Sequence, residues 1–330
     1  MQWQSLYEQA RAQQDRAGGY YNTNVQVRTD AGDVNLRIPL DGADSMDIRL
    51  WDEADVLRTI RPYVSHAPRL RHSSEHPRFQ VQDFIEGRVV NDFAPRGTPV
   101  PDHVLTDVAG LTAELARIPR ERVPALPAGW PADGDCPAFG RRLAQLTEEV
   151  HRTFHDEYGE LFKRLDIPDA PLAVVDERWD ELSSRPYRLV HSDLHRKNMI
   201  VSSGATFFLD WELALWGDPV YEIAVHLHKM DYVDAQRDEV LRLWQLRMPA
   251  ELTAYWQDDL QVYLAHERVK SAVVDTVRYS KEFAAAEGRQ ERDRLARRLA
   301  GKLNAARPVW GLPADVTDRG VHSVLSSAPC

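Results

Sequence analysis

The chain has 330 residues, 43% hydrophobic and 28% charged, so it is neither low-complexity nor disordered and is long enough for two domains or lobes. Its formal net charge of −10 argues against a general nucleic-acid-binding protein, which needs a basic surface. No run approaches the ~18 apolar residues of a transmembrane helix, and no apolar signal segment is found near the start, so we expect no membrane association. Two cysteines are too few for a disulfide framework, which favours a cytoplasmic protein.

The first part of the chain alternates short β-branched runs with one amphipathic helix. The turn from Asp30 to Asp33 contains Gly32 and lies between two such runs, which predicts a hairpin. Apolar residues recur every third position between 48 and 60, which predicts a helix. We predict helices at residues 1–17 and 45–61, and strands at residues 25–28, 34–40, 69–72 and 79–84.

The remainder is dominated by helical patterns. Residues 85–100 and 119–137 are rich in Pro and Gly and predict a linker and an irregular loop. We predict short strands at residues 187–190, 199–201 and 206–209, and helices at residues 102–118, 138–165, 172–183, 219–230, 235–246, 252–282 and 287–305. The chain therefore reads as an α+β protein with a small antiparallel-sheet N-lobe, residues 1–86, and a larger helical C-lobe, residues 87–330.

Residues 190–229 carry the clearest chemical pattern. Two short predicted strands bracket a polar loop that contains Asp193 and Asn198, and a third strand runs directly into Asp210-Trp211-Glu212. Loops at strand ends hold side chains rigidly in a cleft. Phosphoryl transfer needs a carboxylate that orients the attacking hydroxyl and oxygen ligands for Mg²⁺ beside the nucleotide phosphates. This loop and the strand after it offer that set.

The same stretch resembles a known family. HSDLHRKN is followed, twelve residues after its asparagine, by DWE and then by GDP. These elements, in this order, are similar to those of the aminoglycoside phosphotransferase and choline-kinase-like family. The resemblance implies a bilobal protein-kinase-like fold, with a nucleotide-binding N-lobe and a C-lobe that holds the catalytic loop, the metal site and the acceptor site. It further implies an ATP-dependent O-phosphotransferase that uses Mg²⁺.

The resemblance assigns roles within the motif. Asp193 resembles the catalytic base, and Asn198 and Asp210 resemble the Mg²⁺ ligands. His191 resembles a histidine that packs against the strand carrying Asp210, and Asp218 resembles the aspartate that anchors the next helix, a position that is also a helix N-cap.

Two positions depart from the family pattern. Ser192 replaces the usual glycine, which is compatible with the fold if its φ is negative. Glu222 stands where the family more often has aspartate, and we expect no effect of this change on the chemistry.

The nucleotide-binding lysine of kinases has no counterpart here, because all six lysines follow residue 162. The resemblance places Arg37 in that role, since arginine stays charged and binds phosphate through two hydrogen bonds. Glu53 would be its ion-pair partner. Asn22 lies in a Gly- and Asn-containing segment, residues 18–27, that resembles the phosphate-covering loop.

The nucleotide base should meet a hinge at residues 81–87. There the backbone carbonyl of Asp83 and the amide of Ile85 would bind the adenine edge, with Gln82 at the gatekeeper position. On the acceptor side, the helical C-lobe carries Glu212, Asp231 and Glu267, which we predict as weak candidates for binding a cationic acceptor.

These inferences favour phosphorylation of an aminoglycoside or another cationic antibiotic, as a resistance or self-protection activity. A small-metabolite kinase for choline, thiamine, homoserine or a sugar stays open, as does a catalytically silent nucleotide-binding module. A third alternative is a metal-dependent hydrolase built on His191, Asp193 and His195, with His226 and His228 nearby. Asn198, Asp210 and Glu212 have no role in that alternative.

Overall fold

A computed structural model describes residues 2–12, 17–18, 21–40 and 46–327. The first elements of the chain are α1 (Gln2–Ala12), β1 (Ala17–Gly18), β2 (Asn22–Thr29), β3 (Gly32–Pro39), α2 (Glu53–Ile60), β4 (Leu70–Glu75) and β5 (Arg78–Asp83). The five strands form one antiparallel sheet in the order β1-β2-β3-β5-β4. We call this part of the described chain, up to Asp83, the sheet region. It corresponds to the predicted small antiparallel sheet.

The β2–β3 hairpin forms at the predicted turn. Thr29 pairs with Gly32, which leaves Asp30 and Ala31 as the two turn residues. Gly32 has a φ of 108°, a conformation that is open to glycine because it has no Cβ. One face of the sheet buries Val25, Leu36 and other apolar side chains together with Tyr7 and Ala10 of α1, so the period-2 pattern of the strands produces a small core of its own.

The helix predicted at residues 45–61 is shorter in the structure. It starts at Glu53, because the carboxylate of Asp52 accepts a hydrogen bond from the amide of Ala54 and Asp52 itself is extended. An aspartate at the N-cap satisfies amides that the first turn leaves without partners. Ile48 and Trp51, which continue the apolar spacing, pack against the main core from the irregular segment instead.

After Asp83 the described chain is mainly helical, and we call residues 88–327 the helical region. Its helices are α3 (Val90–Phe93), α4 (Asp102–Leu115), α5 (Cys136–Thr153), α6 (His155–Arg164), α7 (Ala173–Asp176), α8 (Pro219–Met230), α9 (Asp234–Arg247), α10 (Trp256–Ala285), α11 (Arg289–Ala306) and α12 (Asp318–Ser326). The main core forms where α8 and α10 pack together with α4 and α5, and a second core lies between α10, α11 and α6.

Two more predicted helices are divided in the structure, and several elements were not predicted, among them the strand Arg88–Val89, helix α3, helix α12 and the strand Leu215–Gly217. The helix predicted at 138–165 is two helices that meet at Phe154, whose φ of −96° and ψ of 5° are not helical. The one predicted at 172–183 is α7 followed by a 3-10 turn at Trp179–Glu181. Helix α12 has nine residues and the strand Leu215–Gly217 has three, and both are too short for a periodic pattern to identify them from sequence.

Short strands of the helical region position the motif. β6 (Arg88–Val89), β8 (Met199–Ser202) and β9 (Ala205–Phe208) form one small sheet, and β7 (Arg188–Val190) pairs with β10 (Leu215–Gly217). These strands hold both ends of the loop at residues 191–198 and the segment that follows β9. Gly87 fits because a Cβ there would collide with the backbone of Val201. Within the described residues, no helix is both long and apolar enough to cross a membrane.

Candidate active site

The loop that follows β7 is anchored by a buried arginine. The guanidinium of Arg196 donates hydrogen bonds to the backbone oxygens of Met230 at 2.8 Å, Ala94 at 2.6 Å and Thr98 at 2.9 Å. Three carbonyl partners satisfy a side chain that is only 1% exposed, which removes most of the cost of burying its polar groups. The loop is thereby fixed to α8 and to the segment after α3.

Asp193 and Asn198 face each other within this loop. The Asn198 side-chain nitrogen donates to the backbone oxygen of Asp193 at 3.0 Å and to its carboxylate at 2.9 Å. The Asn198 backbone oxygen accepts from the Leu209 amide at 2.8 Å, which brings the residue before Asp210 against the loop. The structure therefore places the predicted base beside both predicted metal ligands.

Lys229 and His195 adjoin the carboxylate of Asp193. The Lys229 ammonium forms an ion pair with it, and the His195 ring nitrogen lies 3.6 Å from it. Burial opposes the charge on Asp193, but Lys229 and His195 hold the pKa of this carboxyl well below its ordinary value. Asp193 is therefore ionised at neutral pH and can accept a hydrogen bond from a hydroxyl group.

Lys229 was not predicted as a site residue. It lies on the face of α8 that covers the loop, together with Glu222 and His226, which bind the Ser192 amide at 2.8 Å and the Leu194 oxygen at 3.1 Å. The three positions are spaced i, i+4 and i+7, which is one helix face. Three ionisable residues at this spacing on a largely apolar helix were the available sequence signal.

The condition under which serine was expected to replace glycine at position 192, a negative φ, is not met. Ser192 has a φ of 61°, the left-handed conformation that explains why the family uses glycine here. The carboxylate of Glu222 accepts the Ser192 amide hydrogen bond and so stabilises this conformation. Burial raises the pKa of Glu222 to about 7. Glu222 therefore supports the loop directly.

Arg37 of β3 links the sheet region to the segment after β9. Its guanidinium lies 2.9 Å from Glu53, 2.7 Å from Asp210 and 3.5 Å from Glu212, so the predicted Arg37–Glu53 ion pair is present. Burial alone would lower the pKa of Arg37, but Glu53, Asp210 and Glu212 raise it above its ordinary value. Glu53 also accepts the Trp211 amide at 3.0 Å. Arg37 is a fixed positive charge beside the loop.

Asn22 and Glu212 meet at the same junction. The Asn22 side chain donates to Glu212 at 2.8 Å, and Arg49 lies 3.3 Å from the same carboxylate. Burial and the neighbouring charge of Asp210 raise the pKa of Glu212 to about 7. Gly19 and Tyr20 of the predicted phosphate-covering loop lie outside the described residues.

The predicted hinge is less tightly connected to this site. Gln82 is buried and donates to Glu53 at 3.2 Å, which links it to Arg37. The backbone amide of Asp83 donates to Arg69 at 2.9 Å, and its carboxylate pairs with Arg71. Asp83 and Ile85 do not line the cavity that contains Asp193, and their contact with a nucleotide base stays a prediction.

The histidines do not form a metal centre. His191 hydrogen-bonds the Leu209 oxygen at 3.0 Å, as expected for a packing residue, and His226 bonds Leu194 and the Tyr232 hydroxyl. Burial lowers the pKa of His191 and of His226 to about 4. Among the described residues no cluster of three His, Cys, Asp or Glu could hold a metal, which argues against the hydrolase alternative.

Asp218 has the predicted capping role. Its carboxylate accepts the Val220 amide at 2.8 Å at the start of α8. It also accepts from Arg185 and from the Tyr263 hydroxyl in the interior. Asp218 is therefore a structural residue.

One large cavity of about 1270 Å³ opens between the sheet region and the helical region. Asp193, Asn198, Asp210 and the three predicted acceptor residues all line it. Asp231 is exposed and lies 3.7 Å from Arg96, whereas Glu267 is buried and lies 3.5 Å from Lys270. The structure thus brings the predicted base, metal ligands and acceptor residues to one cavity, with Arg37 at its edge through Asp210 and Glu212.

Solved structures with this architecture are known kinases and phosphotransferases. A choline/ethanolamine kinase family protein from Mesorhizobium loti superposes with a TM-score of 0.59 at 12% identity, covering 98% of this chain and 99% of that chain. The choline kinase LicA from Streptococcus pneumoniae gives a TM-score of 0.58 at 12% identity, covering 98% and 99%. The aminoglycoside phosphotransferase APH(4)-Ia gives 0.55 at 15% identity, covering 99% and 98%. At these identities the likeness establishes the kinase-like α+β fold.

The sequence itself identifies the family. No curated protein matches the chain, but the profile described as the phosphotransferase enzyme family, APH, matches residues 13–255. That span contains Arg37, Glu53, the loop with Asp193 and the segment with Asp210. The chain therefore belongs to the phosphotransferase enzyme family.

Proposed function

We propose that this phosphotransferase moves the γ-phosphoryl group of ATP to a hydroxyl group of a small molecule, with Asp193 as the base. The observation that carries the proposal is the convergence of Asp193, Asn198, Asp210 and Arg37 between the two regions. Each has the chemistry that its role in phosphoryl transfer requires. The similar structures include a choline kinase and an aminoglycoside phosphotransferase, which agrees with this reaction.

The donor set fits Mg²⁺. Asn198 uses its side-chain nitrogen on Asp193, which leaves the amide oxygen available, and Asp210 uses one carboxylate oxygen on Arg37. Mg²⁺ prefers oxygen ligands and is commonly held by one or two side chains together with phosphate oxygens and water. When bound, Mg²⁺ would neutralise charge on the nucleotide phosphates. Asn198 and Asp210 are the residues that would hold it.

Asp193 acts on the acceptor. Its carboxylate orients the hydroxyl so that the acceptor oxygen bonds to the γ-phosphorus while the bond from that phosphorus to the β,γ-bridging oxygen breaks. ADP leaves with the bonding electron pair, and the hydroxyl proton passes to Asp193. Because Lys229 keeps Asp193 ionised, its contribution is mainly positioning, which dominates in phosphoryl transfer. Arg37 offsets negative charge on the phosphates from the sheet side.

The similar structures include both choline kinases and an aminoglycoside phosphotransferase, so they support an aminoglycoside or antibiotic acceptor no better than a small metabolite. A catalytically silent nucleotide-binding module is the remaining alternative, suggested by the absence of a lysine before residue 163. The buried Arg37, paired with Glu53 and Asp210, speaks against it because the positive charge is present at the expected place.

An acceptor screen tests the proposal. ADP release is measured with Mg²⁺ and ATP over alcohols, sugars, choline and aminoglycosides, for wild type and for Asp193→Asn. We expect acceptor-dependent turnover that falls by about 10²–10⁴-fold in the variant, the usual contribution of a positioned base. The control is Asp180→Asn, which alters an exposed pair with Arg141. Full turnover by Asp193→Asn would rule out Asp193 as the base.

A further inference from the structure

The cavity that contains Asp193 has a charge opposite to that of the whole chain. Twelve Lys and Arg side chains line it against eight Asp and Glu, although the chain carries a net charge of −10. Lysine shows the same bias. Only six lysines occur in the sequence, and four of them line this cavity, namely Lys197, Lys229, Lys270 and Lys302.

Three of these lysines form what we call the lysine cluster: Lys229 of α8, Lys270 of α10 and Lys302 of α11. Lys229 pairs with Asp193, so the cluster adjoins the proposed base. The carboxylates nearest the other two lie at 3.5 Å, longer than the 2.7–2.9 Å typical of a charge-assisted hydrogen bond. The ammonium groups of Lys270 and Lys302 can therefore donate hydrogen bonds to a bound anion.

The surroundings of Lys302 are short of negative charge. Its side chain is 13% exposed, and its other polar contact is the Ser271 hydroxyl at 3.5 Å. Burial lowers the pKa of Lys302; Asp275 opposes this, and the nearby charges of Arg96 and Lys229 add to it. Burying several positive charges together costs free energy unless an anion binds between them.

Two arginines of the same cavity also lack carboxylate partners. Neither Arg237 of α9 nor Arg268 of α10 has a carboxylate within 4 Å among the described residues. Their charges lie close enough that burial and Arg237 together lower the pKa of Arg268. Arg237 and Arg268 lie in the helical region, as the lysine cluster does. By contrast, Arg37 and Arg49 pair with Asp210 and Glu212 where the helical region meets the sheet region.

We propose that the acceptor is an anionic hydroxy compound, whose carboxylate or phosphate group binds the lysine cluster while its hydroxyl lies at Asp193. This rests on the proposed phosphotransferase function and specifies its acceptor. It differs from the cationic acceptor expected from the sequence, because the acidic residues predicted for that purpose are accompanied by more numerous cations. Glu267 and Asp231 adjoin Lys270 and Arg96 and serve to hold these cations in place.

Matched acceptors test the charge preference. Turnover is compared for glycerol, glycerate and glycerol phosphate, for a hexose with its acid and its phosphate, and for choline and gentamicin. We expect kcat/KM at least about tenfold higher for an anionic member than for its neutral parent, because one charge-assisted hydrogen bond is worth about that factor. The acid and the phosphate separate the two kinds of anion. Preferred turnover of choline or gentamicin, lost in Asp193→Asn, would overturn the inference and leave the phosphotransferase function intact.

Inorganic phosphate provides a test that needs no known acceptor. Its binding is measured by calorimetry on the full chain saturated with Mg²⁺ and a non-hydrolysable ATP analogue. We expect Lys302→Met and Arg268→Gln each to weaken phosphate binding about tenfold. The matched controls, Lys163→Met and Arg242→Gln, remove exposed charges outside the cavity and should leave it unchanged. Equal phosphate binding by wild type and cavity variants would overturn the inference.

The nucleotide is the competing occupant of the cluster. If Lys302→Met raised the KM for ATP and left the KM for the acceptor unchanged, the cluster would bind nucleotide phosphates and the inference would fail. If the ATP analogue did not bind to wild type with Mg²⁺ at all, the proposed function would fail instead, and the phosphate titration without nucleotide would still decide the charge preference.

Discussion

Single side chains beneath the loop at residues 191–198 determine its conformation. Ser192 adopts a left-handed backbone, which costs more for serine than for glycine. The buried Glu222 carboxyl compensates by accepting the Ser192 amide. Serine in place of the family's glycine at position 192 is therefore accompanied by glutamate in place of aspartate at position 222. The two departures from the family pattern are in direct contact.

Glu222 makes stability depend on pH. Burial raises its folded-state pKa to about 7 from an ordinary value of 4.5, so folding takes up a proton between these values. Stability should fall as pH rises from about 4.5 to 7 and level off above that, with roughly 3 kcal/mol lost in total. Urea unfolding at pH 5 and pH 8 measures this loss. Glu222→Gln should remove it while keeping an acceptor for the Ser192 amide.

Comparing wild type with Glu222→Gln isolates the contribution of the Glu222 carboxyl, because the two proteins share all other titrating residues. His191 and His226, whose pKa values burial lowers to about 4, push stability in the opposite direction in both proteins. An identical change between pH 5 and pH 8 in wild type and in Glu222→Gln would contradict the assignment.

At the scale of elements, close helix packing depends on positions that exclude a side chain. Helix α5 approaches the buried Trp179 at Gly140, where a Cβ would overlap the indole ring. Trp179 is held by its own hydrogen bond to Asp176 at 3.0 Å, so the ring cannot easily move away. Core positions of this kind resist added volume.

Gly140→Ala should therefore destabilise the protein by about 1–3 kcal/mol through overpacking, although alanine is the better helix former. The matched control is Gly301→Ala in α11, where nothing lies within 4 Å of the added Cβ and a gain of about 0.8–1 kcal/mol is expected. Urea unfolding gives both values. Equal effects of the two substitutions would show that the Gly140 contact is not a constraint.

The elements that were predicted best from the sequence are those whose own residues mark where a turn or a helix begins. The β2–β3 hairpin has a turn glycine with period-2 flanks, and α8 begins at an Asp-Pro cap. The start of α2 and the break at Phe154 depend on which residue caps a helix, and an apolar period does not report this. Element boundaries were therefore less well predicted than element types.

The site residues show the same difference: those within a local sequence motif were predicted, and those that depend on contacts between distant elements were not. The family resemblance named Asp193, Asn198 and Asp210, which the structure brings to one cavity because short strands hold both ends of their loop. The same resemblance named Arg37, in place of the missing lysine, with Glu53 as its partner. Lys229 was missed because its contact with Asp193 joins residues 36 positions apart. The charge of the cavity could not be predicted either, since it depends on how α8, α9, α10 and α11 face one another.

At the scale of the whole molecule, the sheet region and the helical region meet through charged contacts around the site. Arg37 joins Asp210, Glu53 binds the Trp211 amide, and Arg278 of α10 binds Asp47 at 2.6 Å. These contacts lie beside the cavity that Asp193, Asp210 and Glu212 line, and Arg37 adjoins it through Asp210 and Glu212. The proposed phosphotransferase function requires this junction to bind a metal–nucleotide complex.

Binding of a non-hydrolysable ATP analogue to wild type and to Asp210→Asn, with and without Mg²⁺, tests that claim most directly. Wild type should bind the analogue in a Mg²⁺-dependent manner. Asp210→Asn should bind it more weakly by a factor larger than the roughly 10–100-fold loss of metal affinity that follows removal of an outer-shell partner. Asp180→Asn should bind as wild type does, and unfolding curves should show that Asp210→Asn is folded. Unchanged, metal-independent affinity in Asp210→Asn would contradict the account.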